Sequence, residues 1–306
     1  MQKPHILIVS DYPGWAYDHV SDAIMRHLSP FYAFSKLYAV DLPLIDHHDY
    51  DLAYVMYWHT DFLERNTVPK GKLIIQVSSF WSWQHKYQIS AAALVEGYLN
   101  RAHAVSVNCP GLYDLIAPDH AQVFLNPSGV DLDLFKPQPP RPSQGQGPLV
   151  VGWTGSVGEH GDNKGLLDFI QPACNALADV MLKTVTREAD WLPHEQMPQF
   201  YRDIDVYLCA SQSEGTPNPV LEAAASTRAV ISTLVGVVPM LIKDGYNGFI
   251  IPRTVEAIRN ALMTLRDDRD LCLQMGQNNR EVIESEGWGW QHRAENYKRM
   301  FDAVLG

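Results

Sequence analysis

The stretch Lys136-Pro137-Gln138-Pro139-Pro140-Arg141-Pro142-Ser143-Gln144-Gly145-Gln146-Gly147-Pro148 constrains this 306-residue chain more than any other feature. It is dense in Pro, Gly and Gln and has no apolar period, so it reads as a linker. On each side of it, short β-branched runs alternate with helical segments. Strand candidates ahead of it are 6–10, 52–56, 73–77, 104–107 and 122–125, with helices from about His19 to Leu28 and from Ser90 to Asn100. Beyond it the rhythm restarts, with strands at 149–154, 180–185, 206–210 and 229–233. Helices are expected from Leu166, from Met197 to Arg202, from Pro219, and twice more near the end. Apolar strands that alternate with helices argue for parallel α/β sheets. Two such units predict a cleft between them, a favoured place for a ligand.

Composition narrows the partners. Hydrophobic residues are 46% and charged residues 19%, the balance of a globular protein. No window of 18 uninterrupted apolar residues exists, and the N-terminus lacks the pattern of a signal peptide, so a cytoplasmic protein without a membrane span is expected. Net charge is −11, divided as 9 Lys/Arg against 14 Asp/Glu up to Lys136 and 15 against 21 beyond it. With both halves acidic and no Lys/Arg run, nucleic acid and anionic membranes are not expected partners. Cys109, Cys174, Cys209 and Cys272 are far apart, and their spacing suits neither a disulfide framework nor a zinc site.

The densest chemical signal is Ser211-Gln212-Ser213-Glu214-Gly215-Thr216-Pro217-Asn218-Pro219-Val220-Leu221-Glu222, directly after the strand Val206–Ala210. In open α/β sheets, ligands bind beyond the carboxyl ends of strands. Asn218 suits an N-cap and Pro219 the first helical position. Free N–H groups of Val220, Leu221 and Glu222 and the helix dipole then favour a phosphate. Glu214 and Glu222 can both accept hydrogen bonds from sugar or ribose hydroxyls.

This motif resembles the Glu-x7-Glu signature of the retaining glycosyltransferases of family 4, which have the GT-B fold of two Rossmann-like parallel-sheet domains facing each other across a cleft. Asn126-Pro127-Ser128-Gly129-Val130-Asp131, Gly152 with Lys164-Gly165, Asp244-Gly245-Tyr246-Asn247-Gly248-Phe249 and the Trp290 to Tyr297 helix resemble further family segments in the same order. The likeness covers nearly all of the second half and is looser over the first. It implies an N-terminal acceptor-side domain at 1–137, a linker at 138–148, a donor-side domain at 149–286 and a terminal helix at 287–306 that packs back on the first domain. It also implies that Glu214 contacts the donor sugar and steadies its developing positive charge, and that Glu222 binds the ribose. The backbone from Gly215 through Thr216, Pro217, Asn218, Pro219 and Val220 to Leu221 would line the sugar and diphosphate site, and Lys164 would neutralise the departing diphosphate.

Between the strand at Leu149 and the helix at Leu166 lies a glycine-rich loop that includes Thr154, Gly155 and Ser156 and can bring N–H groups to phosphates. Many relatives carry an arginine soon after Gly152, where this chain has Trp153 and Thr154. Arg187, Ser156 or backbone groups are the alternatives for its role. In the first domain, Gly14 stands where relatives often have a glycine pair facing the donor phosphates. Aromatic residues gather at Tyr57-Trp58-His59 and Phe80-Trp81-Ser82-Trp83-Gln84-His85, where rings can stack on an acceptor. His47-His48 and His59 lack a metal-like helical spacing, and no residue is singled out as general base.

The expected activity is transfer of a glycosyl group, with retention, from a nucleoside diphosphate sugar (UDP or GDP) to a small-molecule or glycan acceptor. No further cofactor and no metal is implied. Two other readings stay open: a nucleotide-sugar-binding protein that has lost catalysis, and an enzyme that glycosylates modified bases in nucleic acid.

Overall fold

The structure, a computed structural model, describes residues 3–59, 61–141, 147–158 and 161–306. Residues 142–146 of the expected linker and Glu159-His160 of the glycine loop lie outside the described residues. The chain divides into two compact units, one of residues 1–129 with 290–306, the other of residues 130–289.

The first unit is built on β1 (His5–Ser10), β2 (Ala33–Tyr38), β3 (Leu52–Val55), β4 (Leu73–Val77), β5 (Ala104–Val107) and β6 (Val123–Leu125). All neighbours are parallel, in the order β2-β1-β3-β4-β5-β6. Past the half-buried His5, the four inner strands are buried, and apolar but for Ser10, Gln76 and Ser106, because helices cover both sides, as parallel sheets require. Those helices are α1 (Ala16–Leu28), α2 (Asp61–Arg65), α3 (Ala91–Gly97) and α4 (Pro110–Ile116). Val20, Ala23, Ile24 and Leu28 recur at helical spacing and form the buried face of α1. Strand β2 was not expected from the sequence. It is an edge strand, half-exposed along most of its length, and its Ser35 and Lys36 blur the apolar signal.

The second unit has β7 (Leu149–Gly155), β8 (Val180–Thr186), β9 (Val206–Cys209), β10 (Ala229–Ser232) and β11 (Gly248–Ile250), parallel in the order β11-β10-β9-β7-β8. Its helices are α5 (Gln171–Asn175), α6 (Met197–Arg202), α7 (Asn218–Ala225), α8 (Val238–Leu241), α9 (Val255–Asp267) and α10 (Arg269–Ser285). Thr254 caps α9 through the N–H of Ala257, and Asp268 caps α10 through that of Leu271, which explains their sharp starts. A wide turn at Leu166–Ile170, closed by Ile170 N–H to Gly165 O at 3.0 Å, leads into α5.

The last helix, α11 (Trp290–Leu305), belongs to the first unit. Ala294, Tyr297, Met300 and Phe301 join the core beneath α1, and the Tyr297 hydroxyl donates to Asn126 O at 3.0 Å. A Cβ on Gly129 would lie 2.8 Å from Trp290 Cα, so only glycine lets this helix start so close. Among the described residues, no helix is long and apolar enough to cross a membrane. All four cysteines are buried and unpaired.

Candidate functional site

The second sheet reverses its winding between β7 and β9, so the loops after these strands diverge from one switch point, where α/β sheets hold ligands. The loop after β7 ends in Lys164-Gly165, and the loop after β9 carries Glu214. Gly165 has φ +75°, and a Cβ there would stand 2.5 Å from Ala210 O at the end of the β9 segment. That close approach brings the loops together: Gln212 N–H donates to Asn163 O at 2.8 Å, and Lys164 Nζ donates to Glu214 Oε1 at 2.5 Å. The Ser211 hydroxyl donates to the same carboxylate oxygen at 2.8 Å. Burial pulls the Lys164 pKa down, but the charge and hydrogen bond of Glu214 outweigh it and hold the ammonium above its ordinary value. The side chains of Lys164 and Glu214 are 31% and 14% exposed, so the pair is open to solvent on one side only.

The loop from Ser211 to Pro217 is gripped from behind. The Thr233 hydroxyl donates to Ser211 O at 2.6 Å, and Val237 N–H donates to Gly215 O at 2.9 Å. Gly236 has φ +51°, and a Cβ there would fall 1.8 Å from Gly215 O, so no side chain fits. Arg253 donates through Nε to Ala210 O at 2.8 Å and through Nη2 to Asp162 O, with its guanidinium 4.3 Å from the Phe169 ring centre. It ties the end of the β9 segment to the turn before Lys164.

Helix α7 starts one residue earlier than its sequence suggests. Pro217 occupies the N-cap position, Asn218 is the first helical residue and Pro219 the second. Asn218 therefore does not cap, and its buried Oδ1 accepts no hydrogen bond. The expected free N–H groups of Val220 and Leu221 are engaged too: Pro217 O accepts from Val220 at 2.9 Å and from Leu221 at 3.5 Å. The chain tightens at Pro217, so the first turn satisfies its own donors. The side chains of Val220 and Leu221 point into the core, while Thr216 and Pro219 are half-buried at the helix entrance.

Glu222 lies in the first turns of α7, 8% exposed. Its Oε2 accepts from the Tyr201 hydroxyl of α6 at 2.7 Å, and its Oε1 meets His194 Nε2 at 3.2 Å. Burial lowers the His194 pKa, but the Glu222 carboxylate raises it above the usual value. Burial and the same carboxylate push the Tyr201 phenol well above its usual range, so it is a donor at any ordinary pH. Neither His194 nor Tyr201 was singled out from sequence. Tyr201 reads there as helix core, and only its fall in the segment ahead of the motif strand hints at more.

In the glycine loop, Gly155 lies against the stem of Lys164, because a Cβ there would be 3.7 Å from Lys164 Cγ. Thr154 O accepts from the Tyr207 hydroxyl at 3.3 Å, and Gly155 O accepts from Arg187 N–H at 3.1 Å. The Arg187 side chain is half-buried at the adjoining end of β8. The Ser156 hydroxyl at 2.5 Å and the N–H groups of Val157 and Gly158 at 3.2 Å converge on the carboxylate of Glu188. These donors, Ser156 foremost, bring the Glu188 pKa down to about 2. The loop is thus a nest of donors suited to an anionic oxygen.

The first unit treats its own switch point, between β1 and β3, differently. Gly14 has φ +73°, and its N–H donates to Asp18 Oδ2 at 2.7 Å. Lys36 Nζ at 2.5 Å and the Tyr38 hydroxyl at 3.0 Å donate to Asp18 Oδ1. Burial raises the Asp18 pKa, but these partners bring it below the usual carboxylate range. The N–H of Gly14 is therefore spent on Asp18. Beyond β3, Trp58, His59, Tyr87 and Tyr98 form one aromatic group, with His59 and Tyr87 ring centres 4.8 Å apart and Tyr87 Oη 3.3 Å from His59 Nδ1. The Trp58 indole donates to Ser82 Oγ at 3.0 Å, which draws the Phe80 to His85 segment to the same place, and Trp81 stacks on His85. Asp46, His47 and His48 bring ligand atoms within 4.8 Å of one another on a surface turn, where Asp46 already binds His48.

Residues 176–282 match the family model of glycosyl transferases group 1. D-inositol 3-phosphate glycosyltransferase of Streptomyces griseus is 30% identical over 112 residues, 36% of this chain and 23% of that protein. The chain spans under a third of the length of the first curated relatives it matches, 29% and 23%. Sucrose-phosphate synthase of Thermosynechococcus elongatus has a TM-score of 0.73 at 16% identity, covering 99% of both chains. Anabaena HepE, solved with UDP and glucose, has a TM-score of 0.68 at 14% identity, covering 98% of this chain and 99% of that one. The fold is GT-B, with two Rossmann-like units, and the residues that match the family model include Glu214 and Glu222.

Proposed function

We propose that this chain is a retaining glycosyltransferase that uses a nucleoside diphosphate sugar, with a UDP-sugar ahead of a GDP-sugar. The observation that carries the reading is the Lys164–Glu214 pair at the switch point of the second sheet, one strand-loop from Glu222. The solved complex of HepE with UDP and glucose favours the uridine nucleotide. In the transfer, the bond from the anomeric carbon to the diphosphate oxygen breaks and its electron pair leaves with the diphosphate. Lys164 takes up that growing negative charge, while the Glu214 carboxylate faces the positive charge on the sugar. The acceptor hydroxyl oxygen forms the new bond to the anomeric carbon and passes its proton to the departing diphosphate oxygen. Ser156 and the N–H groups of Val157 and Gly158, which hold the Glu188 carboxylate in the free chain, stand in for the missing arginine once the diphosphate displaces that carboxylate. No metal is required where protein cations and N–H groups carry the diphosphate charge.

The test is release of UDP from a panel of UDP-sugars and acceptors, with GDP-sugars run alongside. Wild-type turnover that survives chelation and is lost in Glu214→Gln and Lys164→Ala supports the proposal. Unchanged turnover in both variants refutes the site, and activity that needs added magnesium refutes the metal-free part. Nucleotide binding with no transfer over the whole panel would instead support a binding protein that has lost catalysis.

A further inference from the structure

At the amino ends of the second sheet, three guanidinium groups gather on one carboxylate. Asp205 directly precedes β9, Arg228 directly precedes β10, Arg269 opens α10, and Arg141 lies ahead of β7. The Asp205 side chain has no exposed surface. Its Oδ1 accepts from Arg141 Nε at 3.3 Å. Its Oδ2 accepts from Arg141 Nη2 at 3.0 Å and from Val150 N–H at 2.8 Å, which takes both lone pairs. Arg269 Nη1 lies 3.5 Å from the same oxygen and makes no hydrogen bond. Arg228 is 2% exposed, and its Nε has no hydrogen-bond partner among the described residues. The Nη2 groups end on main-chain carbonyls as well: Arg228 on Pro139 O at 2.8 Å, Arg269 on Gly147 O at 2.9 Å and Arg141 on Pro148 O at 2.8 Å. Carbonyls accept hydrogen bonds but bring no negative charge. Asp203 also acts on Arg228, but it is already paired with Lys183 at 2.8 Å. Three positive charges thus face one negative charge, in a chain of net charge −11. Burial lowers the Arg228 pKa, Asp205 offsets only part of this, and Arg141 adds to it. A buried charge without its counter-charge is costly, and an unmet buried donor marks a place for an ion or a water.

We propose that Arg141, Arg228 and Arg269 form a binding site for a small tetrahedral oxyanion of the phosphate class. Guanidinium forks match phosphate oxygens in shape, and one such ion accepts from Arg228 Nε and Arg269 Nη1 together. The site is separate from the Lys164–Glu214 pair. Strand β9 alone puts ~13 Å between Asp205 and the loop that carries Glu214. Because the same arginines hold Pro139 O, Gly147 O and Pro148 O, the ion fastens both described ends of the proline-rich segment to the second unit. A free ion and a phosphoryl monoester carry this chemistry alike, and titration separates them.

The experiment is calorimetric titration of the full chain with inorganic phosphate and with glucose 6-phosphate, at an ionic strength held constant with sodium chloride. Wild type is expected to bind phosphate, and Lys164→Ala to bind it within ~2-fold of wild type, since the two sites are distant. Arg269→Gln should weaken binding by at least ~10-fold. If Arg269→Gln does not melt cooperatively, Arg141→Gln takes its place with the same expectation. Thermal melts give a second readout: phosphate should raise the Tm of wild type and of Lys164→Ala, and leave that of the arginine variant unmoved. Weaker binding of glucose 6-phosphate than of phosphate assigns the site to the free ion, and tighter binding assigns it to a phosphoryl ester. A wild type that binds neither overturns the proposal. So does binding that is lost in Lys164→Ala and kept in Arg269→Gln, because the ion then sits in the loops at the other end of the sheet. A rise in Tm that chloride at equal ionic strength reproduces is screening and overturns it too.

Discussion

The two units share a winding but spend their charged groups differently. At the switch point of the first sheet, the buried carboxylate Asp18 is saturated by Gly14, Lys36 and Tyr38, all within its own unit. At the switch point of the second, Lys164 and Glu214 pair at the edge of solvent, and Glu222 keeps acceptor capacity beside Tyr201 and His194. The first cluster fastens the entrance of α1. The second is gripped from behind by Thr233, Val237 and Arg253, which hold main-chain carbonyls and leave the charged side chains at the edge of solvent. The same fold position is therefore saturated within one unit and, in the proposed function, holds the chemistry of the other.

The sharpest way to break this contrast is to remove the charges in each unit. Glu214→Gln or Lys164→Ala should cut turnover by ~10²–10³-fold in a UDP-release assay while the melting curve stays cooperative. Next in size is the support of the motif loop. Gly236→Ala should unfold or inactivate the chain, because its Cβ meets a backbone oxygen. Gly245→Ala has a similar positive φ with nothing within 4 Å, and should cost only ~1–2 kcal/mol in chemical denaturation. Asp18→Asn should lower stability by ~1–3 kcal/mol and leave the dissociation constant for UDP unchanged. If it weakens UDP binding as much as Lys164→Ala does, the first cluster is not merely structural.

The smallest effect is in pH dependence, and its sign differs between the units. The Asp18 pKa is depressed by folding, so its contribution is present above the ordinary carboxylate value and is lost as pH falls through its lowered one. The His194 pKa is raised, so its contribution is full below the ordinary histidine value of ~6.5 and is lost as pH rises through the raised one. Denaturation of wild type against Asp18→Asn should converge in acid. Wild type against His194→Gln should converge above neutrality. The opposite order would show that these groups do not carry the assigned interactions.

Most of the second sheet was legible because its inner strands are unbroken apolar runs, as at Val206–Cys209 and Ala229–Ser232. Strands β2 and β11 were not legible, since one is a half-exposed edge strand and the other has three residues behind a glycine turn. Glu214 and Glu222 stood out because they flank a glycine and two prolines at a strand end. Their partners did not. Arg253 reaches back to Ala210 and Asp162 from beyond β11, and Glu188 fills the glycine loop from the end of β8. Contacts that span so much sequence leave no local pattern. The start of α7 was misread by one residue because Asn218 and Pro219 fit the preferred cap and first position, whereas Pro217 closes the turn one step earlier.

The most direct measurement is a crystal structure of the chain soaked with UDP. The diphosphate is expected within hydrogen-bonding distance of Lys164 Nζ and the ribose hydroxyls on Glu222. A nucleotide seated instead on the loops after β1 and β3, with Lys164 still paired to Glu214 and Glu222 untouched, would contradict it.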